Sequence, residues 1–276
     1  MDRARIEQGR RKIVERFGPW SAHNIRLADD IYTIGSEIAG DEFKLRRVLR
    51  TVADVAGRPL ATLRILDLAC LEGMYAVEFA RHGAKVVGIE GREQNLAKAR
   101  FAKEVLALPN LEFVHDDVRN LARVKHGEFD VVLCLGILYH LDAPDVFAFL
   151  ERMADVCCGF AVIDTHIAAS AARSCVYQGR IYRGRTFAEH DPASTPADRA
   201  ANLWSSLDNV NSFWPTRASL LNALTHAGFT SIYECAMPPE PAKPADRITL
   251  VAARGRALAL LGSPQLDAQP VGDLLE

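Results

Sequence analysis

The 276-residue sequence lacks the features that would place it outside ordinary globular proteins. Its six cysteines (Cys70, Cys134, Cys157, Cys158, Cys175 and Cys235) include no C-x-x-C pair, which speaks for reduced thiols over a disulfide framework or a zinc site. No acid–histidine grouping has metal-ligand spacing, so no metal is expected. No stretch approaches the ~18 apolar residues of a membrane helix, and the first residues are charged instead of forming an apolar leader core. A cytoplasmic protein without membrane contact is therefore expected. A net charge of −2 gives no overall reason to expect nucleic acid, and no internal repeat is visible. The most basic run, RARIEQGRRKIVER at 3–16, also holds Glu7 and Glu15 and sets Ile6, Ile13, Val14 and Phe17 on one helical face. It reads as a solvated amphipathic helix.

What is present is concentrated between residues 64 and 90. The apolar strand RILDL leads to Asp67 and a short turn, CLEG. AVEFARHGA then has helical apolar spacing and ends at Gly83. A second apolar strand, KVVGIE, stops at Glu90, 23 residues after Asp67. This strand–turn–helix–strand–acid order suits a nucleotide: the turn lets backbone N–H groups approach the ligand, and the acid accepts from a ribose diol. NAD, FAD and S-adenosylmethionine all fit that unit.

Strands at 64–69, 85–90, 111–115, 129–135 and 159–165 alternate with helices near 74–82, 93–107, 117–123 and 144–156, which predicts a parallel sheet covered on both faces. Residues 1–60 read as a helical cap or lid with helices at about 2–17 and 40–56. The alternation breaks over 167–215, too long for a structureless loop, so a lid or inserted acceptor-site segment is expected there. A helix at 216–227 and strands at 230–237 and 247–254 follow. Residues 256–276 read as a polar tail.

DLACLEG, VVGIE, FVHDDV and FDVVLCLGILYHL, closed by that helix and two strands, resemble the class I S-adenosylmethionine-dependent methyltransferases over roughly 60–255. The resemblance implies an α/β, doubly wound, mostly parallel seven-stranded sheet of Rossmann-like form. It implies S-adenosylmethionine as cofactor and S-adenosylhomocysteine as product. Asp67 with the backbone of Ala69 and Gly73 would hold the amino-acid end, and Glu90 the ribose. Asp117 would accept from the adenine amino group with the Val118 N–H beside it, Asp116 being the neighbouring alternative. Cys134, Leu135 and Gly136 would line the path beside the sulfonium. Ala69 and Leu71 stand where the family has glycines, and Leu71 is expected at negative φ with its side chain turned away from the cofactor.

Chemistry belongs beyond the carboxyl ends of the strands, which nominates Tyr139, His140, Asp164 and His166. His140 and His166 are the candidate general bases, with Tyr139 beside them. The 167–215 segment is rich in Tyr177, Tyr182, Arg183, Phe187, His190, Trp204, Phe213 and Trp214, with Asn209 and Asn211, a set that suits a pocket for a polar organic acceptor. PWSAHNIRLADDIYTIG, with Trp20, His23 and Tyr32, is loosely similar to the lid of methyltransferases acting on tRNA wobble uridine and of related bacterial small-molecule enzymes. The expected function is methyl transfer to oxygen or nitrogen of a small polar or glycosyl-type metabolite. The alternatives are a tRNA-modifying methyltransferase, cyclisation of the cofactor's aminobutyrate chain with release of methylthioadenosine, or a non-catalytic binding module.

Overall fold

The computed structural model describes residues 2–35, 41–236 and 244–256, so the expected polar tail beyond residue 256 lies outside the described residues. Helix α1 (Arg3–Phe17) starts where the Asp2 carboxylate accepts the Arg5 N–H and stops at Gly18. A short pair, β1 (Arg26–Ala28) and β2 (Ile31–Tyr32), precedes α2 (Asp41–Ala56). The alternating unit runs β3 (Arg64–Leu68), α3 (Met74–Arg81), β4 (Lys85–Glu90), α4 (Glu93–Val105), β5 (Leu111–His115), α5 (Arg123–His126), β6 (Phe129–Leu135), α6 (Asp145–Val156) and β7 (Cys157–His166). The helix expected over 117–123 is instead one 3-10 turn at Val118–Asn120 and the short α5. The Asp117 side chain captures the Arg119 N–H at 2.8 Å, and Ala122 is extended, which separates the two turns.

The 167–215 segment folds as an antiparallel sheet of β8 (Arg173–Tyr177), β9 (Arg180–Ala188) and β10 (Asn211–Pro215), with α7 (Pro196–Ala201) inside it. Helix α8 (Arg217–Ala227), capped by Thr216, then leads to β11 (Ser231–Glu234) and β12 (Arg247–Ala253). The main sheet has seven strands in the order β11-β12-β7-β6-β3-β4-β5, parallel except where β12 pairs antiparallel with β7 and β11. It is the expected doubly wound arrangement. One face buries Ile65, Val131 and Leu133 under α1 to α4, and the other buries Leu66, Val132 and Ala161 under α6 and α8. Strand β3 has β4 on one side and β6 on the other, so the chain reverses direction there and a crevice opens at the strand ends.

The amino-terminal segment is part of this core. Helix α1 packs on α4, and Ile6, Trp20, Ile25, Leu27 and Ile31 are buried in the same cluster as α3 and β3. Glu72, in the turn after β3, fastens it: its carboxylate accepts the backbone N–H groups of Ser21 (2.7 Å), Ala22 (3.1 Å) and His23 (3.0 Å). Lys98 of α4 donates to the same carboxylate at 3.1 Å and to the Pro19 carbonyl at 2.6 Å. Both charged side chains are 0% exposed. Breaking such a pair strands a buried charge. Lys98→Met should therefore lower unfolding free energy in urea by ~3–5 kcal/mol, with part of the loss recovered in the Glu72→Gln double variant. A loss under ~1 kcal/mol would mean that water or a neighbouring group takes over from the lysine.

Candidate functional site

A cavity of about 840 Å³ lies over the carboxyl ends of β3, β4, β6 and β7. Of the residues singled out from the sequence, Asp67, Ala69, Glu90, Asp117, Val118, Leu135, Gly136, Tyr139, His140 and Asp164 line it, whereas Gly73, Cys134 and His166 do not.

The turn after β3 is tighter than its composition suggests. Ala69 (φ 50) and Leu71 (φ 51) both adopt the left-handed conformation, as does Gly73 (φ 84). The expected negative φ at Leu71 is thus incorrect. The turn winds so that the Leu71 N–H can reach Glu90 Oε2 at 2.9 Å while Cys70 N–H bonds the Ile89 carbonyl, and that demand outweighs a strain of roughly 1–3 kcal/mol per non-glycine residue. Leu71 also lines the cavity. Gly73 has a packing role: its N–H is spent on the Cys70 carbonyl at 2.8 Å, and a Cβ there would stand 2.8 Å from Phe113 and 2.9 Å from Ala99.

Glu90 accepts the Leu71 N–H on Oε2, and on Oε1 it accepts the Arg92 N–H at 2.8 Å and the Asn95 side-chain amide at 3.5 Å, so the spare lone pair is on Oε2. Burial pushes its carboxyl above the ordinary range despite those bonds. Asp67 is raised to about 7, chiefly by burial and further by Glu90, with the Ala76 N–H opposing. The Asp117 carboxylate faces the cavity but is gripped by Arg119, while Asp116 turns outward to Lys125 and Asn120. Cys134 was expected beside the reaction path; alternation along β6 sends its side chain into the opposite core, and Leu135 takes the cavity side.

Tyr139 and His140 follow β6 in one 3-10 turn that the inserted sheet clasps. Trp214 Nε1 donates to the Tyr139 carbonyl (3.0 Å) and Asn209 Nδ2 to the His140 carbonyl (2.9 Å). His140 Nδ1 lies 2.9 Å from Glu189 Oε2, which also accepts the Ser206 N–H at 3.0 Å. Burial works to raise the Glu189 carboxyl, but the His140 hydrogen bond and charge hold it below its ordinary value. Glu189, just past β9, escaped sequence reading because it sits among polar insertion residues with no spacing to β6; only the fold joins them. Arg92 escaped likewise: it clamps the insertion through the carbonyls of Asn202, Ser205 and Ser206, all within 3.0 Å.

His166 stands behind Tyr139, not over the cavity. Its ring stacks on Trp214 at 4.6 Å, and its Nδ1 lies 2.9 Å from Asp246. Asp164 beside it is 2% exposed and accepts from Lys44, Arg247 and Thr249. Burial would raise it, yet the two cations bring it down to about 2. Of the insertion's prominent side chains only Trp204 and Asn209 reach the cavity; Tyr182, Phe213 and Trp214 are buried packing, and Phe187 stacks on Trp214.

The methyltransferase-domain family matches residues 65–159. The chain is 35% identical over 85 residues to the ubiquinone biosynthesis O-methyltransferase of Acinetobacter baylyi (31% of this chain, 36% of that protein). It is 37% identical over 111 residues to the enzyme of that name from Ruegeria sp. (40% and 41%). The matches thus span well under half the length of these curated relatives. Among solved structures, the N-terminal domain of EvdMO1, crystallised in the presence of SAH and D-fucose, aligns with TM-score 0.71 and 28% identity over 92% of this chain and 98% of that one. Magnesium protoporphyrin IX methyltransferase from Synechocystis PCC 6803 with bound SAH shares the fold at TM-score 0.54 and 21% identity (78% and 84%).

His23 closes the cavity on the amino-terminal side. Its Nδ1 accepts the Met74 N–H at 3.2 Å, and burial lowers its pKa from 6.5 to about 4. The unfolded chain therefore takes up this proton first, and stability from His23 is lost as pH falls from 6.5 to about 4. Asp67 has the opposite sign: its contribution is complete below 3.8 and is lost as pH rises to about 7. The two slopes oppose each other in their shared window. His23→Gln should unmask the second, so that unfolding free energy rises more steeply than in wild type as pH drops from 7 to 4. Equal slopes in urea titrations would show that His23 titrates as in water.

Proposed function

We propose that this chain, which belongs to the class I S-adenosylmethionine-dependent methyltransferases, methylates a hydroxyl oxygen of a small, polar, sugar-like acceptor. The observation that carries this reading is His140, which lines the same cavity as the two buried acids Asp67 and Glu90 and is held from behind by Glu189, 2.9 Å from its Nδ1. The residues fit the cofactor. Glu90 offers a spare lone pair on Oε2 to a hydroxyl of a vicinal diol, and the cavity accommodates the cofactor and an acceptor together. When bound, S-adenosylmethionine supplies an electrophilic methyl group on a sulfonium.

The chain's own part is alignment and proton removal. With Nδ1–H directed to Glu189, His140 presents Nε2 as an acceptor for the hydroxyl proton. Glu189 is a positioning residue: it fixes the ring and favours the imidazolium that forms. In this reading residues 1–60 form the cap, 61–255 the cofactor-binding domain, and 167–215 the acceptor-site insertion that supplies Glu189. Oxygen as the target follows the names of the ubiquinone biosynthesis O-methyltransferases, and a sugar-like acceptor follows the D-fucose in the EvdMO1 crystals. A partly enclosed cavity favours a small molecule over a nucleic acid, and six free cysteines suit a cytoplasmic setting.

Purified protein incubated with S-adenosylmethionine and a panel of monosaccharides should release S-adenosylhomocysteine; methylthioadenosine instead would establish ring closure of the cofactor. Glu90→Ala should weaken S-adenosylhomocysteine binding by ~1.5–3 kcal/mol while melting like wild type. His140→Asn should lower kcat by ~10²–10⁴-fold with cofactor affinity intact, and it should abolish the acid limb of the pH–rate profile. Glu189→Gln should keep that limb but displace it. If both variants retain wild-type rates and profiles, His140 is not the base.

A further inference from the structure

Two donors converge on one point at the end of β6. Gly136 has φ +126 and no side chain, and a carbon placed at its Cβ position would lie 3.5 Å from Tyr139 Oη and 3.8 Å from Arg247 Nη2. All three residues line the cavity. Arg247 is held from behind, its Nε donating to Asp164 Oδ1 at 2.6 Å and its guanidinium carbon 5.5 Å from the Tyr139 ring centroid. Lys44 donates to the same Asp164 oxygen at 2.9 Å, so one buried carboxylate stands between two cations. The nearby Asp246 is engaged by His166 and Arg185. Two cations thus stand beside the point, and the surroundings are largely withdrawn from water. A hydroxyl and a guanidinium edge aimed at one oxygen-sized space make a poor seat for an apolar group and a good one for an acidic oxygen.

We propose that Tyr139 and Arg247 form a carboxylate-binding subsite, with Tyr139 Oη and Arg247 Nη2 as its donors and Asp164 as the group that orients the guanidinium. The subsite rests on the methyl-transfer reading of the cavity. The carboxylate comes from the acceptor, or it is that of the cofactor's own amino-acid end; the chemistry is the same, and the source is separable by experiment. Glycine at 136 is required because any side chain there would fill the space between the donors.

The test is isothermal titration of the protein loaded with S-adenosylhomocysteine, using D-galacturonate and D-fucose, which differ at C6 as carboxylate against methyl. An acceptor subsite gives D-galacturonate an advantage of about tenfold or more. Tyr139→Phe and Arg247→Lys should each remove most of it and leave D-fucose affinity unchanged. Arg247→Lys keeps a charge beside Asp164; should it nonetheless melt early, Tyr139→Phe, which removes one exchangeable group, decides alone. A cofactor subsite instead lowers S-adenosylhomocysteine affinity in both variants by a similar factor and leaves 5′-methylthioadenosine, which lacks the carboxylate, unaffected. Binding of D-galacturonate no tighter than D-fucose, or of neither, together with unchanged S-adenosylhomocysteine affinity in the variants, overturns the subsite. Wild type that fails to bind S-adenosylhomocysteine sinks the methyl-transfer reading separately, and the sugar titrations on the unliganded protein still decide the subsite.

Discussion

Glu72 and Lys98, a carboxylate and an ammonium withdrawn from solvent, hold three parts of the chain together: the turn after β3, helix α4 and the segment entering from α1. Taking both charges out of water is costly, and donors converging on the carboxylate offset that cost. Three successive backbone N–H groups and the ammonium converge on one carboxylate. The turn at 69–73 can then keep two non-glycine residues left-handed, and His23 is delivered to the cavity wall. In this arrangement the amino-terminal segment replaces glycine as the means of fixing the turn.

The second constraint is the attachment of the insertion. Arg92, which follows Glu90 by two residues, binds the carbonyls at the end of α7 and beyond, and Arg119 joins Asp117 to Asp208. Glu90 and Asp117 are thus each two residues from a cation that holds the insertion. The lack of room at Gly91, where a Cβ would lie 2.5 Å from Leu207, shows how closely the two surfaces meet. The strands that present the acids and the loop that presents Glu189 are therefore one mechanical unit.

A parallel arrangement supports Tyr139. Phe187, Trp214 and His166 stack in succession behind it, Arg185 lies over Trp214, and the Trp214 indole N–H holds the Tyr139 carbonyl. Of the aromatics that look like an acceptor pocket in the sequence, Tyr177, Tyr182 and Phe213 pack on Phe147 of α6, and Phe187 and Trp214 give this support. The last two shape the cavity by fixing the turn after β6, and few of the set touch it.

The amino-acid sequence by itself determined the sheet, its strand limits and the two acids at the strand ends. Those features are periodic or sit at fixed distances along one βαβ unit, and local burial forces them: continuous apolar runs must become buried strands, and an acid closing such a run must face the crevice. The bounds of β4, β5 and β6 agree with the pattern residue for residue. Tertiary structure alone decided the rest. Whether Cys134 or Leu135 faces the cavity depends on which core each face of β6 meets, and the sign of φ at Leu71 depends on a hydrogen bond to Glu90 nineteen residues away. The pairing of His140 with Glu189 spans forty-nine residues, and that of Arg247 with Asp164 eighty-three. Neither leaves a trace in periodicity, because a contact between two loops or two strand ends is fixed by how the sheet closes and not by any repeat along the chain.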